Sequence, residues 1–406
     1  MIGTATTVIA IIVDLREFAE GSRTLPSFVF IQFCIGTHQL PSDEHKLSSA
    51  GRIPSGALTV KVRCRMKRSL LSSLLAIVFL CPSLFAADPG LHVIKTFKLG
   101  GKGGWDYLEI DPDSHHLFIS RATHVIVIDA ESGKPVGEIP DTPGVHGIAL
   151  ANDLGRGFTS NGREGTVTIF DLNTLKPITK VKAVGENPDA ILFDPATKRV
   201  FTFNGKSADA TAIDATSGKI VGKIPLGGKP EFGVSTGKGE IFVNLEDKSE
   251  LLALDPKDLK VKSRWPLAPC ESPSGLAMDI KNRRLFVGCD NKMMAVVNAD
   301  TGKVITTVPI GDGVDADRFD PGTKFAFASC GEGVLTVVKE DSPGKFSVAE
   351  NVKTERGART MALDLKTHVA YVVTAKFGPP PAATTQQPHP RPSILPDTFE
   401  VLVVGK

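Results

Sequence analysis

Residues 213–227 read Ile213-Asp214-Ala215-Thr216-Ser217-Gly218-Lys219, then Ile220-Val221-Gly222-Lys223-Ile224-Pro225-Leu226-Gly227. An apolar strand closes on Asp, a turn carries Gly, and Lys opens a second strand. The Asp side chain can accept backbone N–H groups of its own turn, and Gly supplies the positive φ that the turn needs. The phrase recurs at Ile128-Asp129…Gly133-Lys134, Phe170-Asp171…Lys176, Leu254-Asp255…Lys260 and Val297-Asn298…Gly302-Lys303, with the Asx positions 42, 43, 41 and 43 residues apart. A degenerate copy follows at Val338-Lys339…Gly344-Lys345. A second phrase precedes each copy, an apolar residue and then Phe, as in Leu117-Phe118, Val200-Phe201, Ile241-Phe242 and Leu285-Phe286.

Each repeat has room for four short strands, A to D. In the fifth they fall at residues 274–278, 284–288, 293–297 and 304–310. Asp-Pro pairs at Asp111-Pro112, Asp194-Pro195 and Asp320-Pro321 open A–B turns. Strand A is apolar on both sides, as in Ala190-Ile191-Leu192-Phe193, which means that both faces of its sheet are covered by neighbours. Four-stranded repeats of this length describe the blades of an all-β propeller. The residues that open strand A are Asp106, His146, Asp189, Glu231, Ser274, Asp315 and Arg359, spaced 40, 43, 42, 43, 41 and 44 residues apart, so seven blades are expected.

The last repeat supplies only A (360–363), B (369–373) and C (399–404) before Lys406. An unassigned strand at residues 92–100 resembles strand D text, so the N-terminal strand is expected to complete the last blade and remove an open edge. Residues 379–396 (PPPAATTQQPHPRPSILP) lack the donors of a strand and read as an extended loop between B and C of that blade. B–C and D–A loops share one face of the ring, so this arm can lie over that face.

The repeated Asp-x-x-(Ser/Thr)-Gly-Lys phrase followed by Ile-Pro-Leu-Gly resembles the YVTN-repeat, YncE-like β-propeller family over essentially all of residues 91–406. The strand text that names the family is absent; Tyr371-Val372-Val373-Thr374 is nearest. The resemblance implies an exported bacterial propeller, with roles ranging from binding scaffold to nucleic-acid binder, and carries no catalytic residue onto this chain.

Export is also read from the residues themselves. Residues 66–86 (MKRSLLSSLLAIVFLCPSLFA) show a basic start at Lys67 and Arg68, an apolar run of residues 70–80, and Ala86 before the cut, the pattern of a secretory signal peptide. The run is too short to span a bilayer. Residues 1–65 carry no sustained periodicity and read as an extension outside the fold, from a mis-called start or an unstructured leader. The propeller then occupies residues 87–406. Location is expected to be periplasmic or secreted.

Of 406 residues 41% are hydrophobic and 23% charged, which excludes a wholly disordered chain. Residues 1–86 hold 9 Lys and Arg and 5 Asp and Glu, out of totals of 47 and 45, leaving 38 basic against 40 acidic residues. That near-neutral balance argues against nucleic acid as partner. The sequence has no phosphate-binding loop or haem-attachment motif.

Strand A starts converge on one mouth of the central channel. Trp105, Asp106, His146, Asp189, Glu231, Ser274, Asp315 and Arg359 are therefore the candidate binding residues. They bring carboxylates (with Asp317 beside Asp315), an imidazole and a guanidinium, with Trp105 as an apolar plate. The competing reading is that they bond only to adjacent loops or to channel water. His146, Asp189 and Glu231 offer mixed ligands to a divalent cation, but no short ligand spacing supports a metal and no cofactor is implied. His115, His116 and His368 fall at A–B turns on the opposite face and are expected to be solvated. Cys270 and Cys289 fall on loops of one blade, and a disulfide between them is expected.

The function expected is a monomeric binding or interaction module, taking a small molecule, glycan or protein at the channel mouth. The alternative is a lactonase-like hydrolase using His146 and its neighbouring carboxylates, a reading by fold alone. A nucleic-acid-binding propeller is third.

Overall fold

The computed structural model describes residues 89–382 and 392–406. The signal segment and residues 383–391 of the proline-rich arm lie outside the described residues. Seven antiparallel four-stranded sheets form a ring, the inner strand of each touching that of the next around the circle. Blade 5 is made of Pro273–Asp279, Arg284–Cys289, Met293–Asn298 and Val304–Pro309. Blade 7 takes Met361–Asp364, Val369–Thr374 and Glu400–Gly405 from the end of the chain. Its fourth strand is His92–Lys98, antiparallel to Glu400–Gly405 with Phe97 opposite Val401. The proline-rich arm leaves through a short paired foot. There the Gly378 N–H donates to the Ser393 carbonyl and the Leu395 N–H to the Lys376 carbonyl, each at 2.8 Å.

The hydrophobic core is divided among the junctions between blades. One cluster joins Leu117 and Ile119 of blade 1 to Tyr371 and Val401 of blade 7. Another joins Phe201 and Phe203 of blade 3 to Val243 and Leu252 of blade 4, and each remaining junction has its own cluster. Every sheet is thus sandwiched, which is why strand A is apolar on both sides. Only the outermost strands are open to water, as in the exposed run Pro135–Gly137 of blade 1.

The repeated Asx performs the turn chemistry expected of it. Asp129 accepts the Ser132 N–H at 2.7 Å, Asp171 that of Thr174 at 2.8 Å, Asp214 that of Ser217 at 2.7 Å, Asp255 that of Asp258 at 2.9 Å, and Asn298 that of Thr301 at 2.9 Å. The left-handed residue after it is Gly133, Gly218 or Gly302 in three blades, but Leu175 and Leu259 in two. Packing against the preceding blade explains the exception. Gly133 and Gly302 lie under Phe97 and Trp265, which leave no room for a Cβ. Leu175 and Leu259 instead fill space left by Gly137 and Gly222 on the preceding outer strand, where a Cβ would come within 2.7 and 2.6 Å of leucine Cδ1. Large and small residues exchange places across the junction.

On the A–B face, the aspartates that end strand A cap their own turns and also bind the next blade. Asn152 donates to Asp111 at 2.6 Å and Ser235 to Asp194 at 2.6 Å. His368 pairs with Asp320 at 2.8 Å and His115 with Asp364 at 2.9 Å. These two histidines, expected to be merely solvated, are ties between blades, because each faces the buried carboxylate of its neighbour.

Candidate functional site

The strand-A starts do gather at one mouth of the channel. In blades 2 to 6 the A–B register shifts at this point, for example between Val145 and Ile148 and between Pro230 and Gly233. Such a bulge frees a residue from the ladder and re-aims its side chain. Polar groups of neighbouring strands take up the freed backbone. Ser160 donates to the Asp189 carbonyl of the next blade, Asn244 to the Ser274 carbonyl at 3.1 Å, and Thr360 to the Asp106 carbonyl at 2.8 Å.

His146 is held between two acids, its Nδ1 2.6 Å from Asp106 Oδ2 and 3.6 Å from Asp189 Oδ1. Burial favours the neutral imidazole, but the Asp106 hydrogen bond and the charges of Asp189 and Glu231 outweigh it and raise the pKa to about 9. Its Nε2 is tucked under Gly162, where a Cβ would come within 2.6 Å. Arg359 pairs with Asp315 at 2.7 Å, and Ser274 Oγ donates to the same carboxylate at 3.1 Å.

Glu231 is served least well. Lys229 Nζ stands 3.5 Å from its Oε2 but is drawn to Glu246, and that buried oxygen has no hydrogen-bond donor among the described residues. Burial, reinforced by the charge of Asp189, raises Glu231 to about 8. Burial likewise pushes Asp189 and Asp315 up to about 6, against the pull of His146 and Arg359 respectively.

The ring of side chains has a floor that the sequence did not announce. Tyr107 of blade 1 meets Phe232 of blade 4 edge-on across the channel, with ring centroids 5.3 Å apart. Arg318 of blade 6 lies over Phe232 at 4.9 Å. Tyr107 is raised well above its ordinary pKa by burial and by Asp189, Glu231, Asp315 and Asp106, which places its phenol beneath the acids. The three side chains close the channel at mid-depth.

The other candidates fall elsewhere. Trp105 packs on Phe399 and Phe377, at centroid distances of 5.3 and 6.1 Å, as part of the junction of blades 7 and 1. Asp317 lies below the rim and is fully buried, so that desolvation pushes it up to about 8. Of the three groups weighed for a divalent cation, His146 and Asp189 are joined by Asp106, with ligand atoms within 4.8 Å of one another, rather than by Glu231. The proton on His146 would have to leave before that set could bind a metal. Cys270 and Cys289 are joined in a disulfide, with Cα atoms 5.5 Å apart. Cys330 is a buried free thiol, pushed up to about 12 by burial. Sequence reasoning missed Lys229, Glu246, Tyr107 and Phe232; the signal available was that Tyr107 follows Asp106, Phe232 follows Glu231 and Lys229 lies two residues before it.

No protein-family profile and no curated protein matches the chain. Among solved structures it resembles hydrazine synthase of Kuenenia stuttgartiensis, with a TM-score of 0.59 and 16% identity over 66% of this chain and 92% of that one. At that identity the likeness is one of fold. Among the described residues no helix is long and apolar enough to cross a membrane.

Proposed function

We propose that this propeller is a binding module whose mouth takes a small ligand bearing an ammonium group. The observation that carries the reading is Glu231, a buried carboxylate whose Oε2 lacks a donor at the centre of a ring with more acids than cations. An ammonium group supplies donors and charge together, and the Tyr107 ring below offers it an aromatic contact. Binding would draw Glu231 and Asp189 into their ionised forms and so release protons.

The hydrolase reading is less well supported. A histidine protonated at neutral pH, with Nε2 packed under Gly162, is poorly placed to take a proton from water. The repeat phrase further supports a YVTN-like, exported protein acting as a single chain, which N-terminal sequencing of secreted material would test at the Ala86 cut.

Calorimetric titration with butylamine and putrescine, repeated with butanol, tests the proposal. Amines should bind with proton release, butanol should not, and Glu231→Gln should weaken the amines at least about tenfold. Equal binding of butanol, or an unaffected Glu231→Gln variant, would reject it. A response to zinc alone would move the site to Asp106, His146 and Asp189.

A further inference from the structure

Below the Tyr107–Phe232–Arg318 floor, the channel widens toward the A–B face into a cavity of about 350 Å³. Much of its wall is apolar, formed by Ile148, Ile191, Phe193, Val234, Met278 and Phe319. Ile280, 43% exposed, stands at its outer lip. The volume lies within the range of small-molecule sites. Nothing in the mouth site uses this space.

Its polar lining is Glu109, Ser235, Asp317 and Arg318, and of these Glu109 and Arg318 also border the space beside Tyr107 at the closed end. Arginine has five N–H donors. Arg318 spends Nη1 on the carbonyl of its neighbour Asp317 at 2.9 Å and rests one face on Phe232. Among the described residues no carboxylate lies within the 4.0 Å of an ion pair with it. Glu109 and Asp317 both feel its charge, and burial nonetheless raises them to about 7 and about 8. In their protonated forms these acids present hydroxyl donors instead of competing for the guanidinium. An arginine with free donors at the end of an apolar pocket is the complement of one planar anion on an apolar body. A dianionic phosphate ester would call for a second cation, and none lines the cavity.

We propose that this cavity is a second binding site, for an apolar monocarboxylate seated head-first on Arg318. The chain of the ligand would run along Ile191, Met278 and Phe319 toward the A–B face, and the plug would keep it separate from the mouth.

Calorimetric titration of the folded protein with octanoate, with octanol as the uncharged control, tests this. Octanoate should bind at one site, and octanol at least tenfold more weakly. Arg318→Met should weaken octanoate at least tenfold. Met278→Trp, which fills the cavity and leaves Arg318 in place, should abolish binding, whereas Glu231→Gln at the mouth should leave it unchanged. No octanoate binding, equal octanol binding, or octanoate affinity untouched by Met278→Trp would overturn the proposal. Should Arg318→Met fail to fold, the octanol comparison and the Met278→Trp variant still decide it.

Discussion

The outer C–D turns of blades 1 to 5 and the inner strand-A starts both recur at equivalent places around the ring, yet they differ in kind. The turns are near copies, an Asx accepting two N–H groups and a left-handed residue after it. The starts are Asp, His, Asp, Glu, Ser, Asp and Arg, and no two neighbours play the same part. The turns answer to one geometry imposed five times. In blades 2 to 6 the starts are freed from the ladder by bulges, and in blades 1 and 7 they lie outside the paired residues, so backbone pairing does not restrict them and they can differ. Changes at the turns should therefore cost stability and spare binding, and changes at the starts should do the reverse.

The largest effect is expected at the junction of blades 4 and 5. Gly302→Leu would drive a side chain into Trp265 at a residue whose φ is +70°, costing about 3 kcal/mol or more by urea unfolding. Adding Trp265→Gly clears the space the leucine needs and should recover part of that loss; a purely additive double variant would show that the two residues do not compete for one space. Next, replacing Cys270 and Cys289 by Ala should cost roughly 3 kcal/mol for a loop of 19 residues, with amine binding unchanged.

The mouth should respond with the opposite pattern. Acids whose folded pKa lies above the unfolded value lose stability as pH rises between the two, which holds for Asp189 and Asp315 at about 6 and Glu231 at about 8. His146, raised to about 9, stabilises fully below its unfolded pKa and loses that contribution as pH climbs through the folded one. All four effects point the same way, so the melting temperature should fall from about pH 5 to about pH 9. Glu231→Gln should flatten that fall and gain on the order of 2 kcal/mol at the alkaline end, while amine binding is lost. A Glu231→Gln variant less stable at high pH would break the contrast. The smallest effect is expected from His115→Ala, which removes a tie to Asp364 and should cost about 1 kcal/mol in urea unfolding without touching either site.

Blade number and strand placement were legible because the turns require particular residues at fixed spacing. Asp214, Gly218 and Lys219 name a turn wherever they occur. The mouth was legible only as a set of positions. That Asp106 rather than Glu231 would join His146 and Asp189 depends on where each bulge aims its residue, which no local pattern records. The plug was invisible for a related reason. Tyr107 and Phe232 lie 125 residues apart in the chain and meet only because blades 1 and 4 stand across the channel. The histidines of the A–B turns were misread because the carboxylates that hold them belong to another repeat.

The pairing of His92–Lys98 with Glu400–Gly405 has a consequence for the order of events in a cell. The first of the described strands has no partner until Glu400–Gly405 has been made, so six sheets can be complete while the seventh is still one strand short. Throughout that interval an unpaired ribbon and an unfilled sheet edge coexist, and a chaperone that shields either of them would govern yield more than the chemistry of any single site.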